Sequence, residues 1–347
     1  MGVSGALGAR QSRVLRAVVG DYIRSAEPVG SGSIAGRYRL GVSPATIRND
    51  MSALEDMGYL AQPHTSAGRV PTDLGYRFYV DTLPRRLTLA EVHRRAIAAF
   101  FGETPPDVEE VLRRTAALLS RVTRYAAVAL SPDLEASRVA RAELVALGGG
   151  ALLLVVSDTG RVDKRAVEVP EEGADEAVRR VSQALERSFS GLTYAAARSR
   201  AERLARGTTG TEEALFTEVA EGFRELEQGL SSEHVFVGGA SNIAGEEAFE
   251  RRETVRRLFE ALEEEAAILR FLRDAAEAQE VAVLIGRENP VAAMREAAVV
   301  VAPYLAGGRP AGTVAVIGPR RMHYPNAISA VRAVARNLSG LIETLAG

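Results

Sequence analysis

The sequence predicts an α+β protein of more than one domain, and three observations carry that reading. Apolar residues recur at helical spacing between Val14 and Met57. Strand-like runs bounded by glycine turns occupy residues 125–169 and 281–317, and an acidic, helix-patterned block lies between them. With 347 residues the chain exceeds what one ordinary core organises, so two or three domains are expected. Its 46% apolar and 25% charged residues are the proportions of a soluble globular protein.

Composition also sets aside whole classes of function. No apolar run approaches the roughly 18 residues a bilayer crossing needs. The opening MGVSGALGARQSR lacks the apolar stretch of a secretory signal, and Ala6 stands where a myristoylated terminus needs Ser or Thr, so neither is expected. Without cysteine there is no disulfide, thiolate metal site or cysteine nucleophile, and a reducing cytoplasm suits the chain. The net charge of −2 hides an asymmetry: +4 over residues 1–87, zero over 88–170, −10 over 171–280 and +4 over 281–347. A basic N-terminal segment suits a polyanion, whereas the acidic block repels one.

The N-terminal elements follow in order. Val14, Leu15, Val18, Val19, Tyr22 and Ile23 predict a helix from Gln11 to Ser25, which Glu27-Pro28-Val29-Gly30 ends. Ser31 or Ser33 is expected to cap a short second helix through Tyr38, with Ile34 and Ala35 facing inward. Gly41 supplies the positive φ of a tight turn. Ser43-Pro44 then starts a third helix, serine capping it and proline filling the first position. Its Ile47, Met51, Leu54 and Met57 form one buried stripe, and Gly58 suits a left-handed C-terminal cap.

The opposite face of that helix presents Ala45, Thr46, Arg48, Asn49 and Ser52 near its N-terminal end. These are side chains that read base edges or grip phosphates: Arg for guanine, Asn for adenine, Ser and Thr for either, an Ala methyl for thymine. Two short helices joined by a glycine turn form a helix-turn-helix. A helical hairpin with a merely polar surface is the plain alternative, and the segment PHTSAGRVPT tips the balance. Tyr59–Gln62 and Arg69-Val70 read as two short strands around a tip containing Gly68, delimited by Pro63 and Pro71. That is a wing, whose Arg69 is expected to reach a phosphate or the minor groove. His64 reads as a phosphate or backbone partner, since no second ligand at metal-binding spacing accompanies it.

Residues 27–81 resemble the heat-inducible transcription repressor HrcA family. The likeness rests on ATIRNDM, LE..GYL and PH.SAGR.PT..GYR.YVD, which occur together and in order. It implies a repressor of chaperone operons that binds an inverted-repeat operator in double-stranded DNA as a homodimer. It also implies a chaperonin partner and inactivation during heat stress. On this reading Thr46, Arg48 and Asn49 read bases, with Ala45 beside them. Ser43, Ser52, His64, Thr65, Ser66 and Arg69 make backbone or minor-groove contacts.

Thr72 is expected to cap a further helix carrying Tyr76, Phe78 and Tyr79, either as core or in dimer packing. Beyond it the pattern predicts a helix with Leu89, Val92, Ile97 and Phe100, a break at Thr104-Pro105-Pro106, and a helix with Val111, Leu112, Leu119 and Val122. Strands follow at 125–130, 141–147, 151–157 and 161–169, read as one antiparallel sheet. After the helical block come strands at 281–285, 297–304 and 312–317, then a last helix with Ile328, Val331, Val334 and Leu338. This order suggests one domain interrupted by an insertion, and the resemblance makes it a GAF-like domain split by a helical dimerising domain. The divisions expected are 1–86, 87–172, 173–273 and 274–347. No phosphate-binding G-x-x-x-x-G-K loop, dinucleotide fingerprint or G-x-S-x-G elbow occurs, and the histidines at 64, 93, 234 and 323 are scattered. No enzyme, cofactor or metal site is expected.

Overall fold

The computed structural model of the chain describes residues 7–64, 67–84, 86–102, 108–131, 137–147, 150–169, 174–229, 235–239, 242, 272, 274–276 and 280–346. The fold is a mixture of helices and antiparallel sheets.

The N-terminal unit contains α1 (Ala9–Ser25), α2 (Ser31–Arg37), α3 (Pro44–Asp56), β1 (Leu60–Ala61), β2 (Val70–Pro71) and α4 (Asp73–Asp81). Val14, Leu15, Val18, Ile34, Ile47 and Leu54 are fully buried and form its centre. The stripe of α3 stops at Leu54: Met57 is the C-terminal cap and 39% exposed. α2 is preceded by Gly30 with no side-chain cap, because Ser33 Oγ donates instead to Asp21 Oδ2 at 3.2 Å. Gly41 and Gly58 both take the positive φ their turns require.

α5 (Glu91–Phe101) and α6 (Val108–Thr123) lead into β3 (Ala126–Leu130). Ile97 is the buried residue of α5, whereas Val92, expected on its inner face, is 68% exposed. The chain then forms a separate body: β4 (Val139–Leu147), β5 (Gly150–Ser157) and β6 (Val162–Val167), with α7 (Ala174–Ser188), α8 (Tyr194–Arg206) and α9 (Thr211–Gly229). These strands make a sheet of order β4-β5-β6, and residues from Val139 to Phe223 share one core centred on Leu153, Val181, Phe189 and Phe223. The expected single sheet is therefore two. β3 pairs elsewhere, and the boundary expected at 172/173 falls inside one packed unit.

β7 (Val235–Gly238), β8 (Ala282–Ile285), β9 (Ala297–Ala306) and β10 (Arg309–Pro319) join β3 in a five-stranded sheet, β7-β3-β10-β9-β8, before the closing helix α10 (Tyr324–Ala346). Every neighbouring pair in it is antiparallel. Both faces are covered. Ala127, Val300 and Val316 meet α6 and α10, while Val128, Val299 and Ile317 meet Leu272, Ala276 and Met294. Covering on both sides explains why β3 and β9 read as unbroken apolar runs rather than alternating ones. The Phe236–Ile243 segment, read from sequence as a strand and turn, supplies β7 and the residue that clips it down: Asn242 Nδ2 donates to Ser120 Oγ of α6 at 2.9 Å. The expected break at residues 104–106, the glycines at 148–149, residues 243–271 and His234 lie outside the described residues.

The core of the N-terminal unit continues without interruption into α5, α6 and α10. The aromatic set of α4 belongs to this junction: Tyr76 and Phe78 are buried, and the Tyr76 ring lies 6.2 Å from that of Tyr324. Among the described residues no helix is long and apolar enough to cross a membrane.

Candidate nucleic-acid interface

α3 begins as its sequence dictates. Ser43 Oγ accepts from the Thr46 amide at 3.2 Å, and Pro44 occupies the first turn. One face then buries Ile47, Asp50, Met51 and Leu54. The other leaves Ser43, Ala45, Arg48, Asn49 and Ser52 exposed and Thr46 half-buried. Thr46 Oγ1 lies 3.0 Å from Ser43 Oγ, so one of the two hydroxyls donates to the other at the helix start. Among the described residues neither Arg48 nor Asn49 makes a side-chain hydrogen bond or ion pair, which leaves their donors free to meet a partner outside the chain.

Two ion pairs fix the helix that carries this face. Arg10 at the start of α1 grips Asp50 with both arms of its guanidinium, at 2.8 and 3.0 Å, and Asp50 is only 4% exposed. Farther along, Arg69 Nη2 lies 2.7 Å from Glu55 Oε2. Sequence reasoning missed Asp50 because a carboxylate beside a polar reading face looks like part of that face; its period with Ile47 and Leu54 was the available signal. A second buried carboxylate, Asp21, accepts from Arg24 at 3.1 Å and from Arg37 at 2.8 Å, joining α1 to α2.

Arg69, expected at a phosphate or the minor groove, bridges Val29 through its backbone and turns its guanidinium onto Glu55 of α3. Arg69 N donates to Val29 O and Val29 N to Arg69 O, both at 2.9 Å, while β1 pairs β2 through Leu60–Pro71 and Ala61–Val70. The hairpin is thus held at its base on two sides. Gly68 belongs to this base: a Cβ there would lie 2.5 Å from the carbonyl carbon of Val29. His64 is exposed on the hairpin, and Thr65 and Ser66 lie outside the described residues.

The fold and this polar face define an α+β chain with an N-terminal helical unit that presents an exposed polar helix surface. Comparison with known proteins then gives its family. The description "HrcA protein C terminal domain" matches residues 109–328. Heat-inducible transcription repressor HrcA of Parafrankia sp. (strain EAN1pec) is 40% identical over 334 residues, covering 96% of this chain and 98% of its own. The protein of the same name from Thermobifida fusca (strain YX) is 40% identical over 338 residues, covering 96% of each. A solved structure described as a hypothetical protein at 2.2 Å resolution matches with a TM-score of 0.67 and 25% identity, covering 98% of this chain and 99% of that one. The chain belongs to the heat-inducible transcription repressor HrcA family, and its role is regulatory rather than catalytic.

Proposed function

We propose that the protein represses chaperone operons by binding an inverted-repeat operator as a homodimer, and that heat stress releases it. On this reading the N-terminal unit is a winged helix-turn-helix: α3 enters the major groove, and the β1–β2 hairpin is the wing. Thr46, Arg48 and Asn49 read base edges with Ala45 beside them, while Ser43, Ser52, His64, Thr65 and Ser66 contact the sugar-phosphate backbone. Arg69 acts one step removed, holding the wing base to Glu55.

The five-stranded sheet with α6 and α10 is the GAF-like domain, and the β4–β6 and α7–α9 body is the inserted dimerising domain. A two-fold axis would present two copies of α3 to successive major grooves, which makes a palindromic site the natural target. A chaperonin partner belongs to the same proposal. The observation that carries it is the pair Arg48 and Asn49 near the start of α3, exposed and without a side-chain partner among the described residues.

The test is a footprint on DNA upstream of chaperone genes, with the oligomeric state measured alongside. Two protected half-sites under a dimer are expected. Protection by a monomer, or none at an inverted repeat, would overturn the reading.

A further inference from the structure

A cleft of about 500 Å³ opens beside the N-terminal unit, on the other flank of α1 from its core stripe. Its walls come from four places: Arg13 and Arg16 of α1, Tyr38 and Leu40 at the turn after α2, Tyr79 of α4, and His323 in the turn ahead of α10. The cleft therefore spans two domains. Its size is that of a small-molecule site.

The chemistry of the walls is one-sided. Among the described residues that line the cleft none is acidic. Arg24 is held by Asp21 and the Tyr38 hydroxyl, but Arg13 and Arg16 are exposed and form no ion pair among the described residues. Burial keeps both phenols above their ordinary pKa, so Tyr38 and Tyr79 remain neutral hydroxyls. His323 Nδ1 accepts from the Asn326 amide at 3.3 Å, which leaves its Nε2–H as a donor. Two free guanidiniums, further N–H and O–H donors and an aromatic wall suit an anion attached to a flat ring.

Gly20 is an independent sign that the space is kept open. It lies inside α1, where glycine is a poor helix former. A Cβ there would meet only the Tyr38 hydroxyl at 3.7 Å and Tyr79 Cε2 at 3.9 Å, ordinary contacts. Packing does not demand a glycine at this position, whereas a larger side chain would project into the cleft.

We propose that this cleft binds a small organic anion, a phosphate monoester or carboxylate on a planar ring, with Arg13 and Arg16 taking the anion and Tyr79 and Leu40 the ring. Because α1 forms one wall and the turn before α10 another, a bound ligand ties the N-terminal unit to the C-terminal sheet domain. This lies apart from the proposed reading face on α3.

The experiment uses the full chain without DNA, so its failure is distinguishable from failure of the operator reading. Calorimetric titration with 1-naphthyl phosphate and with 1-naphthoate separates the two anions; inorganic phosphate and 1-naphthol serve as the halves of the ligand. Saturable binding of one naphthyl anion at one site per chain is expected, at least tenfold tighter than either half. Arg13→Gln combined with Arg16→Gln should weaken it at least tenfold. Gly20→Leu should abolish it while leaving the melting temperature unreduced. No saturable binding of either naphthyl anion, or equal affinity in both variants, would overturn the proposal. In a separate titration of the double variant with duplex DNA, a loss of duplex affinity with naphthyl-anion binding unchanged would also overturn it, making these arginines backbone contacts instead.

Discussion

Arg77 of α4 grips Glu288, 211 positions away in the chain: Nε donates to Oε1 at 2.8 Å and Nη2 donates to Oε2. Nη2 also donates to the Val283 carbonyl of β8. One helix turn earlier, Asp73 accepts from the Arg287 amide and from Arg320 Nη1, both at 3.1 Å. The stretch PTDLGYRFYVD, read from the sequence as a Thr72-capped helix whose aromatic residues serve the core or dimer packing, is thus a joint between two domains. Arg77 is 22% and Glu288 35% exposed, between a surface and a buried pair. Arg77→Ala should therefore cost about 1–3 kcal/mol in chemical denaturation. Arg77→Lys should recover little, since an ammonium cannot make the forked contact. An unchanged midpoint for Arg77→Ala would mean the joint contributes nothing to stability.

The three-way node at Asp21 makes a pH prediction. Burial alone would raise this carboxyl, but hydrogen bonds from Arg37, Arg24 and Ser33 outweigh it and hold the pKa below the ordinary value. A group with a depressed folded pKa contributes stability above its unfolded pKa, and that contribution is lost as pH falls through the folded one. The melting-temperature gap between the wild type and Asp21→Asn should be full at neutral pH and close below about pH 4. A gap that widens on acidification would reverse the sign of the argument.

Gly68 tests the hairpin base. Adding a methyl group 2.5 Å from the Val29 carbonyl carbon forces the backbone bridge apart. Gly68→Ala should lower stability by about 1–3 kcal/mol, and the amides of Val29 and Arg69 should lose hydrogen-exchange protection. Retained protection would show that the contact is absent in solution.

Arg69 offers a sharper division of roles. A guanidinium paired with Glu55 releases no counterion from DNA, so Arg69→Ala should weaken duplex binding while leaving the slope of affinity against salt nearly unchanged. A slope lowered by about one would return Arg69 to the phosphates.

What could be read from the sequence was set by local chemistry. The cap at Ser43, the turn at Gly41 and the stripe through Ile47, Met51 and Leu54 are decided by neighbours a few positions away, and each is found as expected. The partition of strands between sheets is not local. β3 pairs with β7 and β10 across more than a hundred residues, and nothing in its five residues distinguishes that from pairing with β4. The partners of Arg69 within the chain were hidden for the same reason: Val29 and Glu55 come from earlier elements that meet it only in three dimensions. The exposed face of α3 was legible, but the salt bridges at Asp50 and Glu55 that orient it were not.

The most direct measurement compares the affinity of Arg48→Ala and Asn49→Ala for operator and for random duplex at one fixed salt concentration. The account predicts that binding to random DNA is little altered while discrimination falls by roughly 1–3 kcal/mol for each bidentate base contact removed. Equal loss on both duplexes, or no loss on either, would contradict the claim that α3 reads sequence through these two side chains.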